Sequence, residues 1–190
     1  MPQVAGKQWR LDPSHGRMLI GTDVAGRAAK MGHRLTIEME RWQATVAWSG
    51  DRPTAVNLTV EVDSLQVLNG EGGLTPLTAP EKTLIRGNAL KCLDSKKHGI
   101  IRFGCNDIEA TDDGYRLTGD LEIRGKAKQH VIEVRVTGNG DSWQVDGSTV
   151  VRHSDFGVRR YSMLMGAMQV ADEVTVSLSG TVSADEIRGA

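Results

Sequence analysis

Side chains suited to acid–base, nucleophilic or metal chemistry are scattered through this sequence rather than grouped in known motifs. None of the five histidines lies in a zinc spacing such as HExxH. No serine lies in a GxSxG elbow, and the glycines at 70–73 lack the lysine of a phosphate-binding loop. The histidines are His15, His33, His98, His130 and His153. The sequence therefore predicts no catalytic residue, no metal site and no cofactor, although distant histidines could still assemble a site.

The stretch HSDFGVRRYSMLMGAM, residues 153–168, contains the most unusual grouping of side chains. Residues 155–157 spell Asp-Phe-Gly, but a kinase magnesium motif also needs a glycine-rich loop, a strand lysine and a catalytic His-Arg-Asp, which are absent. Three of the seven methionines then fall between Met163 and Met168. Methionine suits adaptable apolar surfaces, so this run could be ordinary core or one wall of a binding site.

Cationic side chains flank two apolar parts of the sequence. Arg159 and Arg160 precede the methionine run, and two guanidiniums beside an apolar wall could clamp a phosphate. His33 opens a strand near Lys30 and Arg34, where it could donate to an anionic headgroup. We therefore expect His33, Arg159 and Arg160 to form the polar mouth of a site, although exposed surface residues would look the same.

Alternation of apolar and polar residues dominates the chain and predicts strands with one buried face. Eight such runs lie at 16–23, 33–48, 56–62, 101–105, 115–123, 132–136, 143–151 and 170–182. The alternation changes phase between Met39 and Trp42, which predicts a bulge or sharp bend near Glu40-Arg41. Hairpin turns are expected at 112–114, 138–141 and 146–147. Eight antiparallel strands with short turns predict an all-β fold, either a closed barrel or a sandwich.

Two segments interrupt the strand pattern. Residues 80–93 begin with a proline and carry an apolar stripe that includes Leu84 and Leu90, which predicts an α-helix. Residues 159–168 predict a short helical or irregular insertion, because Tyr161, Leu164, Met165 and Met168 have helical spacing. We interpret this insertion as a loop folded over the barrel rather than as a membrane anchor, because the methionines are few and the neighbouring charge is only Arg159 and Arg160.

Length, charge and hydropathy exclude several classes of protein. A chain of 190 residues suits one domain, 1–190, with a barrel over about 9–184. The formal net charge of −1 argues against nucleic-acid binding. No segment has the ~20 apolar residues of a membrane span, and the first residues lack the apolar core of a secretory signal. We therefore expect a cytoplasmic protein.

Seven short motifs, in order along the chain, resemble those of the YceI-like family of polyisoprenoid-binding proteins. The first, WRLDPSH at 9–15, is similar to the family's W-x-L/I-D-P-x-H opening, and GDLEIRG at 119–125 is similar to G-x-L-T-I-R-G. Two positions depart from the pattern: Gly99 replaces a usual proline, and Lys126 replaces a common apolar residue. The other five motifs lie at 32–33, 60–65, 93–103, 151–157 and 171–174.

The resemblance implies an eight-stranded antiparallel lipocalin-like β-barrel with a hydrophobic channel. It implies a binding or carrier protein whose ligand is a long isoprenoid-like lipid or a quinone, and it makes a homodimer plausible. An enzyme or cofactor-binding protein using the same pocket, or a homo-oligomeric interaction module, remains an alternative. We expect the apolar wall to include Met39, Trp42, Leu84, Leu90, Tyr161, Met163, Leu164, Met165 and Met168.

Overall fold

The structure, a computed structural model, describes residues 7–188 and has an all-β fold with one long helix. The strands are β1 (Gln8–Leu11), β2 (Gly16–Gly21), β3 (Val24–Ala25), β4 (His33–Met39), β5 (Trp42–Ser49), β6 (Arg52–Glu61), β7 (Leu65–Gly72), β8 (Ile100–Ala110), β9 (Gly114–Ile123), β10 (Lys126–Asn139), β11 (Ser142–Arg152), β12 (Ser162–Met163), β13 (Met168–Val170) and β14 (Glu173–Ser183). The helices are α1 (Ala79–Cys92) and a short terminal α2 (Ala184–Arg188). Within residues 7–188, no helix is long and apolar enough to cross a membrane.

Eleven of these strands form one antiparallel sheet in the order β1-β5-β6-β8-β9-β10-β11-β14-β2-β4-β7. β5 and β4 lie near opposite ends of this order, yet only two residues separate them in the chain. The sheet must therefore curl until its two ends meet, which gives it a barrel-like wall. The expected count of eight strands is not matched, because the bend at 40–41 divides the run at 33–48 into β4 and β5, and because β1 and β7 lie outside the eight predicted runs.

The expected bend between Met39 and Trp42 is confirmed. β4 ends at Met39, β5 begins at Trp42, and both side chains are buried. Backbone hydrogen bonds from Glu40 to Ser64 and from Glu61 to Arg41 hold the bend against the neighbouring strand. The two residues between the strands let both apolar sets face the interior, although the sequence alternation changes phase there. The register shifts of β4 and β5 lie elsewhere, at 36/37 and 47/48.

The predicted helix is confirmed as α1. Thr78 and Glu81 form a capping box, in which each side chain accepts a hydrogen bond from the other's backbone N–H. The helix lies over the otherwise open edge strand β7, where Lys82 donates to the Leu68 carbonyl at 2.6 Å and Arg86 donates to the Leu65 carbonyl at 2.7 Å. The helix therefore covers the edge of the sheet with both apolar contacts and charged donors.

The segment at 159–168 is irregular rather than helical. β12 and β13 pair around a 3₁₀ turn at Leu164–Gly166, and β3 completes a separate three-stranded sheet. Segment 24–31 packs against this hairpin, as the hydrogen bond from the Ala28 N–H to the Ala167 carbonyl shows. We call segments 24–34 and 156–171 the methionine lobe.

The hairpin turns at 112–114 and 138–141 are confirmed, but the turn predicted at 146–147 is wrong. Asp146 and Gly147 lie inside β11, where Gly147 pairs with Leu178 of β14 and Val134 of β10. The Asp146 carboxylate is satisfied within the sheet, because it accepts from Ser179 at 2.6 Å and from Gln144 at 3.1 Å. A pair of residues typical of turns is therefore accommodated in a strand by side-chain hydrogen bonds from its neighbours.

Candidate functional site

A cavity of about 720 Å³ lies inside the curled sheet. Its wall comes from nine strands of the main sheet, β1, β2, β5, β6, β8, β9, β10, β11 and β14, and it is open at one end. The volume falls within the ~300–1,000 Å³ range of small-molecule sites. The apolar and aromatic side chains of the wall are Trp9, Leu11, Met18, Ala44, Val46, Trp48, Pro53, Val56, Leu58, Phe103, Tyr115, Leu117, Ile132, Val134, Val136, Trp143, Val145, Val176 and Leu178.

The cavity wall is produced by the same alternation that the sequence shows. Along β5, Ala44, Val46 and Trp48 reach the cavity, and along β10 every second residue from Ile132 to Val136 does so. The residues between them point outward, as the exposed Glu133 and Arg135 show. On β11 the lining residues run from Trp143 to Thr149, a strand rise of about 20 Å, so with a typical barrel tilt the cavity extends about 15 Å along the axis.

The mouth of the cavity is acidic rather than basic. It lies at the hairpin turns β5–β6 and β8–β9, where Asp51, Asp112 and Asp113 line it together with Lys7. Arg135 donates to Asp113 at 2.7 Å, and this hydrogen bond lowers the pKa of the Asp113 carboxyl below its ordinary value. In the described part of the chain, Asp51 and Asp112 form no ion pair, so the mouth has excess negative charge.

Two tryptophans lie together near this mouth. The ring centroids of Trp9 and Trp48 are 4.3 Å apart, with an angle of 40° between the planes. The indole Nε1 of each is buried and has no hydrogen-bond partner among residues 7–188. An indole N–H is a donor only, so each leaves an unused donor in the wall. Neither residue is among those predicted for the apolar wall, although the alternation along β5 places Trp48 on the inward face.

The opposite end of the barrel is filled by packed side chains. One buried cluster contains Met39, Trp42 and Leu65, and α1 packs against it through Ala89, Leu90 and Leu93. A second buried cluster is centred on Phe103 and Phe156. These clusters form the floor of the cavity, and some of their members, such as Ala44 and Phe103, also line it.

One histidine lies close to the cavity wall, but its hydrogen bonds are satisfied locally. The Thr149 hydroxyl lines the cavity and donates to the Val131 carbonyl at 3.0 Å. Because its proton is used there, the hydroxyl accepts from Nε2 of His130 at 2.7 Å. Burial lowers the pKa of His130 below its ordinary value, which favours the neutral ring. In the part of the chain that the structure describes, no group of three His, Cys, Asp or Glu side chains could hold a metal.

The residues predicted for an apolar wall are distributed over three places, and none lines this cavity. Met39 and Trp42 are buried in the floor, with 2 % and 5 % of their surface exposed. Leu90 packs on the same cluster from α1, whereas Leu84 faces away from it and is 64 % exposed. Whether any of them contacts a ligand stays a prediction.

The remaining predicted residues belong to the methionine lobe and to its contact with the loop after β7. Arg159 is exposed, and Arg160 donates weakly to the Val170 carbonyl at 3.5 Å. Nε2 of His33 is 2.7 Å from the Thr75 carbonyl, so the ring holds the loop rather than standing at the acidic mouth. The side chains of Tyr161, Met163, Leu164 and Met165 are exposed, and Met168 is half-buried.

The curled sheet and its interior define a barrel-like all-β protein with an apolar cavity entered at its hairpin end. The chain belongs to the YceI-like domain family, whose model matches residues 9–182. No curated protein matches the sequence.

Two solved structures share the fold. The crystal structure of BcnA from Burkholderia cenocepacia has 20 % identity, with 91 % of this chain and 99 % of that chain covered and a TM-score of 0.69. The YCEI protein of Campylobacter jejuni has 13 % identity, with 77 % and 83 % of the two chains covered and a TM-score of 0.60.

Proposed function

We propose that this protein binds and carries a long apolar lipid, isoprenoid-like or a quinone, in the cavity of the curled sheet. The observation that carries the proposal is the apolar wall, which runs from Val56 on β6 through Val134 on β10 to Leu178 on β14. A wall of this composition gains free energy mainly by removing apolar surface from water, which is what a hydrocarbon chain offers.

The size of the cavity constrains how such a lipid would bind. Each buried methylene contributes about 0.8 kcal/mol, so ten of them contribute about 8 kcal/mol before the cost of ordering the chain and the protein. A depth of about 15 Å holds roughly ten methylenes of an extended chain, which is less than the length of a long prenyl lipid. One end of a long chain therefore occupies the cavity, and the remainder leaves through the mouth.

Native mass spectrometry tests the proposal, combined with organic extraction of protein purified without detergent. We expect the protein to bind added prenyl chains with one-to-one stoichiometry, and a co-purified lipid to appear in the extract. A matched linear polar oligomer serves as the control ligand. Repeated recovery of empty protein that also fails to bind any prenyl chain would refute the proposal.

Four further proposals concern the domain, the barrel, the oligomeric state and the location of the protein. We propose that residues 1–190 form a single domain, that the divided strands act as an eight-stranded barrel, that the protein forms a homodimer, and that it resides in the cytoplasm. Sedimentation velocity tests the dimer, limited proteolysis tests the single domain, and fractionation of cells that express the complete gene product tests the location.

A further inference from the structure

The methionine lobe is richer in positive charge than the chain as a whole, and Asp23, Asp155 and Asp172 lie just outside its two segments. Its two segments contain five cationic side chains and no aspartate or glutamate, whereas the whole chain has 23 Lys and Arg against 24 Asp and Glu. Among residues 7–188, only Arg34 of the five forms an ion pair within 4 Å, with Glu71 at 3.6 Å. Hydrogen bonds from Ser154 and, in addition, the charge of Arg160 lower the pKa of the nearby Asp172 carboxyl. The cations are Arg27, Lys30, Arg34, Arg159 and Arg160.

The same lobe exposes large apolar side chains at the tip of its hairpin. Met163 is 47 % exposed, Leu164 52 %, and Met165 fully exposed at 106 %. Tyr161 and Met31, on the flanks of the tip, are 39 % and 45 % exposed. Monomeric proteins rarely gather exposed apolar side chains in this way unless the surface binds something.

The backbone of the tip adopts an unfavourable conformation that keeps these side chains outward. Leu164, Met165 and Gly166 have φ values of 53°, 55° and 88°, so three consecutive residues are left-handed. Leucine and methionine seldom adopt this region, because their Cβ atoms crowd the backbone. Strained residues of this kind are concentrated at functional sites.

We propose that the methionine lobe docks the protein on the surface of an anionic lipid bilayer. The apolar tip of Met163, Leu164 and Met165 would enter the headgroup region, with Tyr161 at the level of the interface. Arg27, Lys30 and Arg159 are exposed and would contact anionic headgroups.

A bilayer fits this surface better than other partners do. Nucleic acid would neutralise the cations but leave Met163, Leu164 and Met165 in water. A protein interface of standard size buries about 800 Å² on each partner, whereas these side chains project from a single turn. Only a bilayer interface takes up both the charges and a narrow apolar tip.

The docking site is separate from the cavity, and the membrane-docking proposal does not depend on ligand binding in the cavity. The lobe lies where β11 ends and β14 begins, whereas the mouth lies at the opposite ends of the strands, near the β8–β9 turn. Docking through the lobe therefore leaves the mouth facing the solution. Loss of docking and loss of ligand binding can be measured independently.

Vesicle co-sedimentation of the full chain tests the proposal, with vesicles of phosphatidylcholine alone or with about one-third phosphatidylserine. We expect binding to the anionic vesicles only, weakened by salt. Lys30→Gln with Arg159→Gln should reduce affinity about 25-fold, roughly fivefold for each cation. Met163→Ser with Met165→Ser should reduce it at least roughly tenfold.

Matched control variants remove exposed cations and an exposed apolar side chain outside the methionine lobe. Arg10→Gln with Arg52→Gln deletes two exposed cations in the mouth half, and Leu84→Gln removes an exposed apolar side chain from α1. Both controls should bind vesicles like the parent chain. Equal binding to neutral vesicles, or equal losses in the control and lobe variants, would overturn the proposal. So would lobe-dependent self-association or nucleic-acid binding in the absence of vesicle binding.

Discussion

Replacing Gly147 with leucine would fill the proposed ligand cavity without disturbing its wall. Gly147 lies in the middle of β11 and lines the cavity. A Cβ built there lies 3.8 Å from Cγ2 of Val134 and 4.0 Å from Cγ2 of Ile132, which are ordinary contacts with two side chains of the wall. The added side chain therefore points into the cavity, between neighbours that need not move.

The expected effects on ligand affinity and on stability have opposite signs. The four carbon atoms of the leucine side chain would displace about four methylenes of ligand, each worth about 0.8 kcal/mol, or about 3 kcal/mol in total. That loss weakens binding by about 150-fold. The empty protein should become more stable by about 1–3 kcal/mol, because the side chain is buried and a strand glycine is removed.

The assay is a titration with a fluorescent apolar probe, alongside urea unfolding of the ligand-free protein. Gly21→Leu is the matched control, because a Cβ on Gly21 of β2 meets no atom within 4 Å and the residue is exposed. The control should retain the parent affinity. If Gly147→Leu folds with raised stability and binds the probe as tightly as the parent, the ligand does not occupy this cavity.

Three further perturbations test the floor, the helix cap and the acid sensitivity of the fold. Met39→Ala should lower the free energy of unfolding by about 2–5 kcal/mol, because it leaves a hole in the packed floor. Affinity for the apolar probe should stay within about twofold, because Met39 does not line the cavity. A large loss of affinity in folded protein would contradict this placement. Thr78→Ala should cost about 1 kcal/mol in urea unfolding, since it removes the capping box of α1, and no change would show that the cap contributes nothing. Hydrogen bonds from the Ser154 hydroxyl and N–H lower the pKa of Asp172 below its ordinary value, so its stabilising effect is present above about pH 4 and is lost as pH falls through the folded pKa. Asp172→Asn should therefore unfold more easily than the parent at pH 7, with a difference that shrinks below about pH 4; a difference that is constant with pH would refute this role.

Much of the fold was predictable, because strand alternation and helix capping are local signals. The phase change between Met39 and Trp42 correctly located the bend, and the start of α1 followed from Pro80 and Glu81. The strand count was not predictable in the same way. The bend at 40–41 divides one run into two strands, whereas β1 is only four residues long and β7 ends in Asn-Gly-Glu-Gly, so neither of these two strands shows a long alternating run.

The position of the cavity could not be read from the sequence. Ala44 on β5 lines the cavity, whereas Trp42 on the same strand and the same face lies in the floor. The two residues belong to one alternating set, so periodicity does not distinguish open space from packed core. That distinction depends on side chains contributed by α1 and by the segment at 153–158, which are distant in the sequence.

The most direct test of lipid binding in the cavity is a crystal structure of detergent-free protein incubated with a prenyl quinone. We predict continuous elongated density between Val56, Val134 and Leu178, with the remainder of the ligand leaving through the mouth near Asp51. An empty cavity in protein shown to be saturated with ligand, or ligand density on the methionine lobe alone, would contradict lipid binding in the cavity.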